Sequence, residues 1–231
     1  MPIRLITLLF VSFVSAVPVL SFWFQDAPQE SRWEADIRKL EQALVEHPQE
    51  PGGIVFVGSS SIRRWDLKKS FPELSAVNHG FGGSEMSDAV RFFDRIVTPL
   101  KPATVVLYEG DNDIGKGKSP EQVHADFQQF VRLFREKLSP DSRLAFIAIK
   151  PSLKRWHLAE PIQKANQLVA ADCLVDDRLT YIDVWAPMLG EDEKPRPELF
   201  VSDGLHLSEA GYQVWADVVR PALQPRPVSA Q

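Results

Sequence analysis

Five short apolar runs, residues 54–57, 76–77, 104–108, 144–149 and 181–184, recur along the chain with helical periodicity between them. Runs this short, rich in Val, Ile and Leu and lacking a polar face, read as strands buried on both sides. Strands that alternate with helices are the pattern of βαβ units, which build a parallel sheet covered by helices on both faces. The helical pattern is clearest over 120–138, where Val123, Phe127, Phe130, Val131 and Phe134 share one face, and over 158–175. An earlier helix is expected over 31–46, with Trp33, Ile37, Leu40 and Leu44 at three- and four-residue spacing and Pro48 and Pro51 beyond its end. A last helix is expected from the N-cap Ser208, carrying Tyr212, Trp215, Val218 and Val219 until Pro221 ends it. The fold class that follows is α/β, a three-layer α/β/α sandwich around a five-stranded parallel sheet. Ligands of such sheets bind beyond the carboxyl ends of the strands, near the point where strand order reverses, so the loops after strands are where chemistry is expected.

Composition bounds the rest. With 44% apolar and 25% charged residues the chain can bury a real core, and no internal repeat or domain linker interrupts it, so one domain over 31–221 is expected. A net charge of −5 and the lack of a long Lys/Arg run argue against nucleic acid as a partner. Cys173 is the single cysteine, which rules out an internal disulfide and makes a small apolar filler the expected role. Before the domain, Arg4 precedes an uncharged apolar run over 5–24. Residues 1–24 therefore read as a signal peptide, with Ala16 a site for cleavage, or as an N-terminal membrane anchor long enough to span a bilayer. Either implies export to a periplasmic or extracellular location. Residues 222–231 read as a Pro-rich disordered tail, and 186–197, with three prolines around Glu191, Asp192 and Glu193, as a solvated loop able to lid a site.

Four blocks carry chemistry, and each alone has a bland alternative. Gly58-Ser59-Ser60-Ser61 follows the first strand and opens a helix, a turn that displays a hydroxyl beside free backbone N–H groups. The same turn also suits helix capping or an anion. Asn78-His79-Gly80-Phe81-Gly82-Gly83-Ser84 follows the second strand, and its glycines permit close approach of backbone N–H groups to a ligand or merely a tight turn. Gly110-Asp111-Asn112-Asp113 follows the third. By itself it is an Asx-type turn; Glu109, Asp111 and Asp113 around it suggest a hard metal, but two of them read as no more than solvated loop charges, and no histidine or further carboxylate at a telling spacing supports a metal. Asp203-Gly204-Leu205-His206 precedes the last helix, where a buried Asp can fix the tautomer of an imidazole that takes a proton from a serine.

Together these blocks resemble the SGNH/GDSL hydrolases, over the span from Gly58 to His206. The resemblance implies a flavodoxin-like SGNH hydrolase fold and a carboxylic ester hydrolase of the esterase/lipase kind, with Ser60 as nucleophile, His206 as base and Asp203 as its orienting acid. It also implies an oxyanion hole formed by the N–H groups of Ser60 and Gly83 and the side-chain amide of Asn112. Ser59 departs from the family, which usually has Asp there, and among Ser59, Ser60 and Ser61 only the family alignment selects the middle one. Lys150-Pro151-Ser152 with Arg155-Trp156 also resembles a segment of some relatives, which makes Trp156 a candidate wall of the substrate pocket. The other histidines, His47, His79, His124 and His157, are expected at the surface, His79 with access to the crevice. No cofactor or metal is implied. The partner is a small ester, whether an acyl ester, a lysolipid or an acetylated sugar. The alternatives are a phosphate-ester hydrolase, since the serine turn suits phosphate, and a carbohydrate- or ligand-binding module that keeps the fold without turnover.

Overall fold

A computed structural model describes residues 31–224 of the chain; the apolar leader and residues 225–231 of the expected tail lie outside the described residues. No helix among the described residues is long and apolar enough to cross a membrane. Helix α1 (Glu34–Glu46) precedes strand β1 (Ile54–Gly58), and two single-turn helices, α2 (Ser60–Arg63) and α3 (Leu67–Ser70), lead to β2 (Ala76–Gly80). Then follow α4 (Met86–Ile96), β3 (Thr104–Tyr108), the short α5 (Asp111–Gly115), α6 (Pro120–Lys137), β4 (Arg143–Ile147), α7 (Ala159–Val175), β5 (Leu179–Ile182) and α8 (Glu209–Leu223). The sheet has five strands in the order β2-β1-β3-β4-β5, all paired in parallel. The chain steps outward from β1 to β2 and then crosses to β3 on the other side of β1. That reversal lies between β1 and β3, where Gly58 is in register with Tyr108.

Each strand feeds two cores, because alternate side chains point to opposite faces. Val55 and Val57 join a core closed by Ile37 of α1, Phe92 and Phe93 of α4, Phe127 of α6 and Ile162 of α7. Phe56, between them, joins a second core with Trp65, Leu67 of α3, and Trp215 and Val219 of α8. Covered on both faces, the strands carry the unbroken apolar runs seen in the sequence.

The expected elements are present, and their ends shift for reasons visible in side chains. The apolar run over 144–149 leaves the sheet after Ile147 because Asn166 of α7 takes over: its Oδ1 accepts from Ile149 N–H and its Nδ2 donates to Ile149 C=O, both at 2.8 Å. β5 ends two residues earlier than expected, where Asp183 accepts from the Trp185 N–H in a local turn. β2 extends through Asn78-His79-Gly80, paired with Phe56 to Gly58, so part of the glycine block is strand. α4 was not distinguished by the sequence, although Asp88 accepts from Glu85 N–H at its start in a capping box. α8 runs past Pro221, which was expected to end it, to the buried Leu223. A proline so close to the end forfeits one helical hydrogen bond, and Leu223 packs in the second core. Residues 186–197 are more anchored than a solvated loop: Leu189 bridges Pro195 in antiparallel fashion, Arg196 N–H donates to Met188 C=O, and Met188 is in the core.

Trp215 is the hub of the second core, with its ring 4.8 Å from that of Tyr108 and 5.5 Å from that of Trp65. Trp215→Ala is expected to lower the unfolding free energy in urea by about 3–5 kcal/mol through the cavity it leaves. Leu174→Ala, at a position 87% exposed, is expected to stay within about 0.5 kcal/mol of the parent.

Candidate active site

The turn that carries Ser60 is forced by the sheet. A Cβ at Gly58 would lie 2.2 Å from Tyr108 C=O on the neighbouring strand, and its φ of +154° suits glycine alone. Ser59 caps α2 with its backbone only, its C=O accepting from Ile62 and Arg63 N–H. The far end of α2 is held from two sides: Asn78 Nδ2 donates to Ile62 C=O at 2.7 Å and to Trp65 C=O at 3.0 Å, and Tyr212 of α8 donates to Ser61 C=O at 2.8 Å. Ser59 and Ser61 are buried, and Ser60, between them, has its Oγ 2.9 Å from His206 Nε2.

His206 reaches Ser60 across 146 residues because the loop that carries it is tied down at both ends. Val201 N–H donates to His206 C=O, Lys154 N–H from the segment after β4 donates to Gly204 C=O, and Ser208 N–H donates to Leu199 C=O. Asp203 Oδ1 accepts from Leu205 and His206 N–H, both at 2.9 Å, and Oδ2 lies 2.5 Å from His206 Nδ1. A carboxylate only accepts, so Nδ1 carries a hydrogen and Nε2 presents its lone pair to the Ser60 hydroxyl. Asp203 was expected to be buried; its side chain is 38% exposed. Hydrogen bonds take the place of burial in fixing it. The contact with the His206 ring, aided by the two backbone donors and opposed by slight desolvation, holds its carboxyl well below the usual range.

Two further donors belong to the loops after β2 and β3. Gly83 has φ +79°, the left-handed region, and among the described residues neither its N–H nor that of Ser60 is committed to an acceptor. The preceding peptide is held by Trp33, whose Nε1 donates to Gly82 C=O at 3.0 Å. Asn112 spans the gap between loops, its Nδ2 donating to Ser84 C=O at 2.9 Å and its Oδ1 accepting from Arg155 at 3.1 Å. Trp156, the expected pocket wall, stacks on Trp185 with ring centroids 6.0 Å apart.

The carboxylates around Asn112, two of them expected as solvated charges, are all buried, since they stand where the central strand runs into the crossover layer. Each has its own protein partner. Asp111 lies 2.7 Å from the fully buried Lys150 and 2.5 Å from Arg155. Burial alone would raise its pKa, but the two cations outweigh it and hold the group ionised. Asp113 accepts from Met86 N–H at the start of α4 and from Lys118 at 2.9 Å, yet burial leaves its pKa raised. No group of three or more His, Cys, Asp or Glu side chains among the described residues can hold a metal ion. His79, expected at the surface, is buried in β2 with Nδ1 2.6 Å from Ile96 C=O, and burial lowers its pKa, so it is a neutral core donor. His124 also has a carboxylate partner, Asp172 of α7 at 2.8 Å, which no local spacing in the sequence reveals. Cys173 is a half-buried filler with its thiol pushed up to about 12 by burial.

Glu109 is the outlier among these charges. It is fully buried, has no cation, and its Oε2 is the buried side-chain atom without a partner among the described residues. Burial pushes its pKa far up. Ser84 Oγ lies 2.5 Å from Glu109 Oε1 and 2.9 Å from Phe81 C=O. The single serine hydrogen goes to the carbonyl, which can only accept, so the neutral Glu109 donates to Ser84. Because the folded protein keeps this proton while the unfolded chain loses it above its ordinary pKa, the folded state binds more protons there and stability falls as pH rises from about 4.5. Glu109→Gln removes that dependence, so the urea stability of the variant relative to the parent is expected to improve steadily between pH 4.5 and 7.5. A difference that does not change with pH would contradict the neutral assignment.

Comparison with known proteins places this geometry in a family. The fold is shared with a GDSL-like lipase from Bacteroides thetaiotaomicron, at 18% identity and TM-score 0.69, over 81% of this chain and 97% of that one. It is shared also with a protein assigned as an acylhydrolase from Bacteroides fragilis, at 21% identity and TM-score 0.71, over 84% and 97%. An acetyl-xylooligosaccharide esterase from Geobacillus stearothermophilus matches at 17% identity and TM-score 0.61, over 78% and 98%. No curated protein sequence matches. The profile of the GDSL-like lipase/acylhydrolase family matches residues 57–214, from the end of β1 through His206 into α8, and the chain belongs to that family.

Proposed function

We propose that this protein is a serine esterase that cleaves carboxylic esters through an acyl-enzyme on Ser60. The observation that carries the proposal is the unbroken line of hydrogen bonds from Ser60 Oγ to His206 Nε2 at 2.9 Å and from His206 Nδ1 to Asp203 at 2.5 Å. His206 Nε2 takes the hydroxyl proton as Oγ attacks the ester carbonyl, and Asp203, already ionised, stabilises the imidazolium that forms. The carbonyl π electrons move to oxygen, and the oxyanion is met by the uncommitted N–H groups of Ser60 and Gly83 and the remaining Nδ2 hydrogen of Asn112. Collapse expels the alcohol, which receives its proton from His206. Water, deprotonated by the same imidazole, then attacks the acyl-serine, and as the acid leaves His206 returns that proton to Ser60 Oγ. Nucleophile and base are supplied by the chain itself, so turnover is expected to be indifferent to chelators.

The substrates proposed are small esters: acyl esters, lysolipids or acetylated sugars. The last is favoured by the fold shared with the acetyl-xylooligosaccharide esterase. Hydrolysis of p-nitrophenyl acetate, butyrate and octanoate tests the reading. Ser60→Ala or His206→Ala is expected to lower kcat by about 10⁴ to 10⁶, and Asn112→Ala by about 10² to 10³. A Ser60→Ala protein with undiminished kcat would refute the mechanism, and activity confined to phosphate esters would move the function to the phosphate class.

A further inference from the structure

We propose that Arg155 is a positioning residue of the oxyanion hole, one that orients and polarises the Asn112 amide; this rests on the reading of Asn112 as an oxyanion donor. Arg155 holds Asn112 from behind. Its Nη2 donates to Asn112 Oδ1 at 3.1 Å while Nη1 donates to the C=O and the carboxylate of Asp111 at 2.9 and 2.5 Å. The guanidinium lies against the backbone of α5, where a Cβ at Gly115 would come within 2.7 Å of it. The side chain therefore lies across the start of α5 and grips two successive residues, Asp111 and Asn112.

Orientation follows from donor and acceptor chemistry. A guanidinium offers only donors and the Ser84 carbonyl only accepts, so the amide oxygen must face Arg155 and the nitrogen must face Ser84. One Nδ2 hydrogen is spent on Ser84, and the other has a fixed direction. Without Arg155 the amide loses the partner that prevents rotation about its terminal torsion, which is broad in the absence of constraints.

Charge acts in the same sense. Asp111 is shared by two cations, Lys150 and Arg155, so this cluster has one positive charge in excess, and Arg155 is the member that touches Asn112. A cation on an amide oxygen draws electron density from the nitrogen and strengthens the N–H as a donor. With the Arg155 side chain 16% exposed, solvent screens little of this. Arg155 needs no contact with the substrate. The Gly83 N–H is backed in a parallel way, through the Trp33 bond to Gly82 C=O on the same peptide.

The test is a double-mutant cycle on the full chain, with p-nitrophenyl butyrate as substrate and thermal melting as the control for folding. Arg155→Met is expected to lower kcat about tenfold or more, a fraction of the loss of a whole donor, with KM altered less than kcat. Asp111 keeps Lys150 in that variant. In an Asn112→Ala background the same substitution is expected to have no further effect on kcat, because the amide through which it acts is gone. Arg155→Lys keeps a charge beside Asp111 but lacks the fork that also reaches Asn112, so it should melt like the parent and still lose most of the kcat that Arg155→Met loses. Equal kcat factors for Arg155→Met in both backgrounds, or full activity in Arg155→Lys, would overturn the proposal. If Asn112→Ala itself leaves kcat unchanged, the oxyanion assignment fails and the role of Arg155 fails with it. Should Arg155→Met not fold, the Arg155→Lys pair completes the cycle.

Discussion

Parallel strands cannot be joined by tight turns, so each pairing in this sheet requires a crossover that brings the chain back to the same starting edge. All five strands consequently end at one edge, and every loop that carries a chemical group opens there. Within that edge the reversal of direction at β1 leaves a gap between the loop after β1 and the loops on either side. Ser60 stands in this gap, with Gly83 from the β2 side and Asn112 from the β3 side. The site is a consequence of strand order before it is a consequence of any particular side chain.

Strand order brings the loops together and a layer of hydrogen bonds fixes them. Asn78 and Tyr212 hold the carbonyls of the turn that bears Ser60, Trp33 and Ser84 hold the glycine loop, and the Asp111, Lys150 and Arg155 cluster holds the turn that bears Asn112. Buried charges of this kind are costly unless each is paired, and they stabilise little relative to an apolar core. Their presence at the end of the central strands is better understood as geometric: ions that must find their partners leave the attached loops few alternatives. The same logic separates Asp203 from Asp111. Asp203 meets solvent and stays ionised through its hydrogen bonds, whereas Asp111 is ionised in the interior because two cations face it.

Much of this architecture was legible in the sequence because it rests on local pattern. Apolar runs with turns between them marked the five strands, three- and four-residue spacing marked α1, α6, α7 and α8, and the Ser208 cap was visible as a cap. The elements that were misjudged depend on distant partners. β4 stops early because of Asn166, α8 continues past Pro221 because Leu223 has a core to enter, and the 186–197 segment is pinned because Met188 does. Glu109, at the end of an apolar strand run, is buried where local charge counting suggested solvent, and Lys150, at the end of another such run, is fully buried as well.

By itself the sequence determined the secondary-structure alternation, hence the sheet, and the residue types able to carry acyl transfer. Those are set by side-chain volume, polarity and spacing along the chain. Which of three adjacent serines meets the imidazole, which carboxylates are ionised and which is neutral, and which cation grips Asn112 were decided by the tertiary structure alone. Ser60 and His206 are 146 residues apart, and Ser84 and Glu109 are 25 apart. Hydrogen-bond geometry and burial are functions of distance in space, and a linear sequence does not contain those distances until the crossovers have closed them.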